Sequence, residues 1–340
     1  MKKILSFLKV ALPLAFGVFL IWYVFKDLTP TEKDELFTAL KQADYFWIGI
    51  SMIFGVLSHM SRAIRWKYTV KPLGKTPGFW NSFFTVMIGY VANYALPRLG
   101  EVTRPALLAK YEGLSFNKLF GTIVAERVAD MVILAFIMGG VLLIELDMLK
   151  DLLYDFVNSG EDKFSTTKLI VLASVLLLGA GLFFFFLFSK SQIPIFVKIR
   201  TLLRGILEGL QSIVKMEDKF YFILHTLFIW VMYVGMYYIC FFSLEETSNV
   251  PIAAVMASFV MGSLAIVFVQ GGLGVFPIAI METLILYGIS KTSALALGWI
   301  IWSSQTVMII VVGILSIPLL RLINKNKKIE STGSHSIKNH

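Results

Sequence analysis

Runs of about twenty apolar residues constrain this chain more than any other feature, because a helix of that length is what crosses the hydrocarbon layer of a membrane. Such runs occupy residues 4–25, 45–61, 119–144, 169–188, 221–242 and 294–320. Two more lie between residues 250 and 290, split at Gln270-Gly271-Gly272-Leu273-Gly274, and one further run covers 79–97. They are too long for barrel strands, so the fold class is all-α and the chain a polytopic membrane protein. Composition agrees: 57% of residues are apolar and 16% charged, against about 45–50% and about 25% in soluble domains. A cytosolic enzyme, a disulfide-stapled secreted domain and a nucleic-acid module are thereby excluded. The net charge of +9 sits in short clusters between the apolar runs, the pattern that orients membrane proteins. The single cysteine, Cys240, rules out an intramolecular disulfide and reads as a buried, inert thiol. Lys2 and Lys3 before the first run resemble a secretory signal, but the run is long, ends in Trp22-Tyr23 and has no small-residue cleavage site, so it reads as an uncleaved helix.

Charge bias then sets the topology. Residues 26–44, 145–162 and the Glu245-Glu246 turn are acidic; 62–75, 190–219 and the tail from Arg321 are basic. With the amino terminus in the cytoplasm, every basic cluster falls inside on one condition: residues 79–97 must enter and leave by the same side. Eight spanning helices, a re-entrant or interfacial element at 79–97, a glycine-broken helix and two cytoplasmic termini follow. Re-entrant backbone is tolerated where protein or water covers its polar groups. A ninth ordinary helix that defies the charge rule is the alternative. Leu36, Phe37 and Leu40 recur at helical spacing, predicting a short amphipathic helix in the first acidic loop. Residues 1–322 form the membrane domain, and 323–340 a basic, disordered tail.

Ionisable residues beside or within apolar runs are the candidates for function, since each costs about 2.5–3.5 kcal/mol at the centre of a membrane helix. In Pro97-Arg98-Leu99-Gly100-Glu101-Val102-Thr103-Arg104, Pro97 and Gly100 stop one helix and let the chain turn. Arg98 and Arg104 flank Glu101 at i±3, so in a helical turn the three share a face and leave a net positive fork suited to phosphate oxygens. An ordinary loop with interfacial arginines is equally consistent. Glu126 and Asp130 stack at i, i+4 with Arg127 beside them, about two turns into an apolar run; they form either a polar path or a structural ion-pair network. Arg62 and Arg65, with Trp66, close the second run at the same boundary, where most arginines anchor and snorkel. His59 reads as a packing residue. Gly271, Gly272 and Gly274 break a helix and expose backbone dipoles, as in transporters whose discontinuous helices bind ions or headgroups near the midplane. No zinc-type spacing, nucleotide-binding motif or catalytic set is present in the sequence, so no metal, cofactor or catalytic residue is expected.

The run Leu96 to Glu101, then Arg104, Leu107-Leu108 and Glu126-Arg127…Asp130, resembles the signature of the lysylphosphatidylglycerol synthase transmembrane, or flippase-like, family. The Gly271–Gly274 break, with Tyr287-Gly288 and Ala294 to Ala296, is similar to its second signature, and the resemblance extends from about residue 36 to 320. Two departures stand out: Gln270 where members often have Pro, and Phe276-Pro277 where an acid or His often follows, with Glu282 a displaced candidate. Members include the membrane domain of the bacterial multiple peptide resistance factor, which moves aminoacylated phosphatidylglycerol between leaflets while a separate soluble domain makes it. The resemblance implies a multi-pass protein of the bacterial cytoplasmic membrane that carries an anionic phospholipid or polyprenyl-phosphate between leaflets, without synthase activity. Headgroup binding would fall to Arg98, Glu101, Arg104, Arg62 and Arg65, and a deeper polar path to Glu126, Arg127 and Asp130. The expected partners are the membrane and an anionic lipid, with a second copy of the chain or a separate lipid-modifying enzyme as further candidates. A membrane-embedded transferase on lipid-linked sugars and a non-transporting envelope scaffold are the rival functions.

Overall fold

The computed structural model describes residues 2–96, 98–145, 207, 209 and 211–325. Among these the chain is all-α, with no strand. The elements are α1 (Lys2–Asp27), α2 (Pro30–Gln42), α3 (Tyr45–Val70), α4 (Phe79–Ala95), α5 (Leu99–Glu112), α6 (Phe116–Ile144), α7 (Lys219–Ile239), α8 (Ile252–Phe268), α9 (Val275–Ile285) and α10 (Lys291–Ile323). The stretches Tyr45–Leu73, Phe116–Ile144, Lys219–Ser243 and Lys291–Ile323 are long and apolar enough to cross a membrane. The expected span at 169–188, the acidic loop after Glu145, most of the basic cluster at 190–219, Pro97 and the tail from 326 lie outside the described residues. The chain divides into two compact units, residues 1–123 with 218–340, and residues 124–217, the boundary falling within α6.

In the first unit, polar contacts sort the helix ends into two groups. Lys71 at the end of α3 pairs with Asp218 before α7 at 2.7 Å. Buried Glu112, at the end of α5, accepts hydrogen bonds from the Gly78 amide (3.1 Å) and Asn81 Nδ2 (2.6 Å) at the start of α4, with Lys75 at 3.4 Å. Asn324, just past α10, donates to Asn81 Oδ1 at 2.7 Å. These ends form the basic end of the unit. At the acidic end, the Asp44 amide donates to the Ser243 carbonyl at 2.9 Å. There the Glu246 carboxylate accepts from the Ser290 amide, and Thr292 donates to Glu35. The amphipathic helix expected in the first acidic loop is α2; Thr29 and Glu32 close a capping box at its start, and Leu36 is fully buried.

Both short helix pairs turn back. The contacts of Glu112 return the end of α5 to the start of α4, so α4 and α5 form a hairpin that enters and leaves at the basic end. The element expected to turn back within 79–97 is only the inbound leg; the return runs through α5, which puts Arg98 at the turn rather than at the boundary. The 17 residues of α4 reach about 25 Å, short of the ~30 Å hydrocarbon layer. The two runs between 250 and 290, counted in the sequence as spans, are α8 and α9, helices of 17 and 11 residues. They fold back at the glycines and leave at the acidic end, where Ser290 meets Glu246. The two hairpins seat on α10 at opposite ends: a Cβ on Gly298 would stand 2.7 Å from the Pro277 carbonyl oxygen, and one on Gly313 would press into Val91. Lipid tails are as apolar as leucine, so such close backbone approach holds membrane helices together where the hydrophobic effect does not.

Candidate functional site

The tips of the hairpins meet halfway along α10. From the basic side, Tyr94 Oη lies 3.2 Å from Thr306 Oγ1; from the acidic side, Trp302 Nε1 donates to the Gly271 carbonyl at 2.7 Å. The middle of the 33-residue α10 is thus shared by both turns. At the acidic-side tip Gly271, Gly272 and Gly274 all have left-handed backbone, φ +69°, +69° and +74°, which a side chain would strain. The helix break expected at these glycines is present, and Gly17 of α1 packs against Gly274 with no room for a Cβ.

The basic-side tip is tighter still. Arg98 has φ 63°, the one positive value at a non-glycine among the described residues, and left-handed backbone there costs about 1–2 kcal/mol. The turn brings the Gly100 amide onto Asn93 Oδ1 at 2.7 Å. A Cβ on Gly100 would overlap the Gly89 carbonyl, so α4 and α5 touch backbone to backbone. Arg98 is exposed, Glu101 half-buried and Arg104 buried. Glu101 and Arg104 keep their i, i+3 relation within α5, but Arg98 stands before the helix in left-handed backbone, so helical stacking does not bring it onto their face. The fork drawn from spacing therefore separates into an exposed arginine at the tip and a buried one half-way down.

Arg104 lies over Trp66, its Cζ 3.8 Å from the ring centroid, and Trp66 donates to Thr122 Oγ1 at 2.8 Å. A cation–π contact of this kind is worth up to about 2 kcal/mol when desolvated. Arg62 and Arg65 do not snorkel: they are 5% and 0% exposed. Arg62 donates to Tyr233 Oη and Arg65 to Thr226 Oγ1, both at 3.1 Å on α7. Counted back from the end of α3 at Val70, Arg65 and Arg62 sit about 8 and 12 Å deep; Arg104 is about 12 Å back from the end of α5. Three buried arginines thus occupy the basic half of the unit.

A family model described as the lysylphosphatidylglycerol synthase transmembrane region matches residues 10–313. The chain belongs to this family. It is also 30% identical over 106 residues to a UPF0104 membrane protein of Methanocaldococcus jannaschii, a match covering 30% of this chain and 32% of the relative. The chain thus spans about a third of that relative's length. No solved structure matches.

Within this lysylphosphatidylglycerol synthase transmembrane region, Glu126, Arg127 and Asp130 belong to the second unit, on α6. Glu126 is buried, Asp130 half-buried and Arg127 exposed, so the stacked carboxylates share the more buried face. Two side chains are not legible as site residues from spacing. Trp66, a sequence neighbour of Arg65, is the platform of Arg104. Glu112, whose signal is a carboxylate eight residues beyond Arg104 and before a glycine, ties the end of α5 to the start of α4. His59 packs as its place one turn from Arg62 suggests: it is 3% exposed, its ring tilted against Tyr90 with centroids 4.7 Å apart.

Proposed function

We propose that this protein is a lipid translocase that binds the phosphate of an anionic phospholipid or polyprenyl-phosphate and carries it between leaflets. One observation carries the reading: two hairpins enter from opposite ends and meet at mid-height on α10, with buried arginines below the basic-side tip. Irregular backbone at that depth persists where it lines a protein-covered or wet path. Both α5 and α9 begin at the tips, so each turns the positive end of its dipole toward the middle. Arg104, Arg62 and Arg65 supply donors suited to phosphate on the basic side, and Arg98 with Glu101 stands at the turn. Positive-inside bias assigns the basic end to the cytoplasm. Outward movement of one negative charge then gains about 2.3 kcal/mol per 100 mV of inside-negative potential, so export needs no nucleotide.

The test is reconstitution of the purified full chain into liposomes carrying a fluorescent anionic phospholipid, with a membrane-impermeant quencher added outside. The expected result is loss of the protected inner-leaflet fluorescence at a rate proportional to protein. Protected fluorescence equal to that of empty liposomes, with phospholipid and polyprenyl-phosphate probes alike, overturns the reading. Formation of a modified lipid with added donor points to the transferase instead.

A further inference from the structure

Above the buried arginines lies a ring of aromatic side chains from three helices. His59 on α3, Tyr90 on α4 and Trp230 on α7 are each eleven residues from the basic end of their helix, about 16 Å deep, and Tyr233 is one turn further along α7. Their rings touch in sequence. His59 lies tilted against Tyr90 with centroids 4.7 Å apart and stands edge-on to Tyr233 at 6.2 Å, and Tyr233 meets Trp230 at 6.1 Å. The ring also holds polar atoms that the protein leaves unanswered. Among the described residues, neither ring nitrogen of His59 and not the indole nitrogen of Trp230 has a hydrogen-bond partner, and all three atoms are buried. Buried donors without acceptors are costly, and natural proteins retain them where something outside the fold completes them.

The chemistry of that missing group follows from the atoms. Indole N–H only donates, imidazole always presents a donor, and Arg62 one turn below donates to Tyr233 Oη at 3.1 Å. A cation would face a guanidinium and gain nothing from the N–H groups. We infer that His59 and Trp230, each in ring contact with Tyr233, form a mid-membrane station for an oxygen-rich anion, a phosphate group. Each donates one hydrogen bond to a phosphate oxygen. The station gives the translocase reading a second stop, deeper than the arginines, at which the headgroup is held while neither leaflet reaches it. Its use in transport rests on that reading; its binding chemistry does not.

The experiment measures binding to the purified full chain in detergent micelles by titration calorimetry, with dihexanoyl phosphatidylglycerol, glycerol phosphate and inorganic phosphate as probes. The variants are His59→Phe and Trp230→Phe, which keep the ring and remove the donors, and His59→Gln, which restores one donor. Each Phe variant is expected to weaken binding of the short-chain lipid about tenfold, with His59→Gln in between. The unliganded His59→Phe protein should melt no lower than wild type, because it loses orphaned nitrogens and keeps the packing; a structural histidine would lower it. Tight binding of inorganic phosphate, as strong as that of the lipid, assigns the station to the free anion. Unchanged binding in both Phe variants, or no binding of any probe to wild type, overturns it. Wild-type binding without lipid movement in liposomes refutes the translocase reading and leaves the station standing. Lipid movement at wild-type rate with unchanged binding in both Phe variants does the reverse.

Discussion

Gly100→Ala is the most direct probe of the basic-side hairpin. The added Cβ would overlap the Gly89 carbonyl oxygen and stand 2.7 Å from its carbon and 2.8 Å from Asn93 Cγ, where ordinary contact begins at 3.4 Å. Two of these three neighbours are backbone, so no side-chain rotation relieves the overlap and α5 must move off α4. Overpacking of this kind costs about 1–3 kcal/mol. The same movement strains the 2.7 Å bond from the Gly100 amide to Asn93, worth about 0.5–1.5 kcal/mol. Little is returned through helix propensity, because Gly100 lies in the first turn of α5. A net loss of about 2–4 kcal/mol is expected. Thermal melts of the purified protein in micelles, followed by tryptophan fluorescence, should show Gly100→Ala several degrees below wild type. Gly49→Ala, with nothing within 4 Å of its Cβ, should melt at or slightly above wild type. Its lipid movement should stay unchanged, while that of Gly100→Ala falls because Arg104 rides on the displaced helix. A Gly100→Ala protein that melts with the wild type would refute the backbone contact on which the hairpin geometry depends.

Replacing Arg104 by Lys keeps the charge but loses the guanidinium contact over Trp66 at 3.8 Å, about 0.5–2 kcal/mol. Lipid movement should slow clearly in a normalised quencher assay, and a wild-type rate would return Arg104 to simple anchoring. Single cysteines at Thr76 and Lys110, exposed positions on either side of the α4–α5 hairpin, in a Cys240→Ser background, should react with an impermeant maleimide from the same side of the membrane. Reaction from opposite sides would place one leg of the hairpin across the bilayer and end the re-entrant assignment. At the acidic end, burial pushes the Glu246 carboxyl up, but hydrogen bonds from Ser293 and from the amide and hydroxyl of Ser290 hold it below its ordinary value of 4.5. A depressed carboxylate contributes stability that is present above 4.5 and lost as pH falls through its lowered value. The melting gap between wild type and Glu246→Gln should therefore be full at neutral pH and close as pH falls below 4.5 and through the lowered value, as melts across that range would show. A gap that persists in acid would mean that the Ser290 contacts do not depend on the charge.

Hydropathy and charge are terms between each residue and its solvent, so they are legible along the chain without knowledge of partners. The all-α membrane class follows from them, as does the need for the chain to return to its own side after α4, since one extra crossing would invert every later basic cluster; that the return leg is α5, and not part of 79–97, does not follow from them. The glycine break at 271–274 was visible for a related reason: left-handed backbone restricts which residue can stand there at all. The depth of that break was not, because two apolar runs joined by glycines read the same whether they cross the membrane or turn back at its middle. Only the bonds of Trp302 to Gly271 and of Tyr94 to Thr306 put both tips at one height. Nor could spacing orient the arginines. It assumed a helix through Arg98, where the close approach of Gly100 to Gly89 demands a left-handed turn. It sent Arg62 and Arg65 to the interface, where α7 in fact offers Tyr233 and Thr226. A helix surrounded by lipid gains almost nothing from one rotation over another by hydrophobicity alone. Which face meets its neighbours, and so which polar atoms are answered and which, like those of His59, are left waiting, is decided by packing.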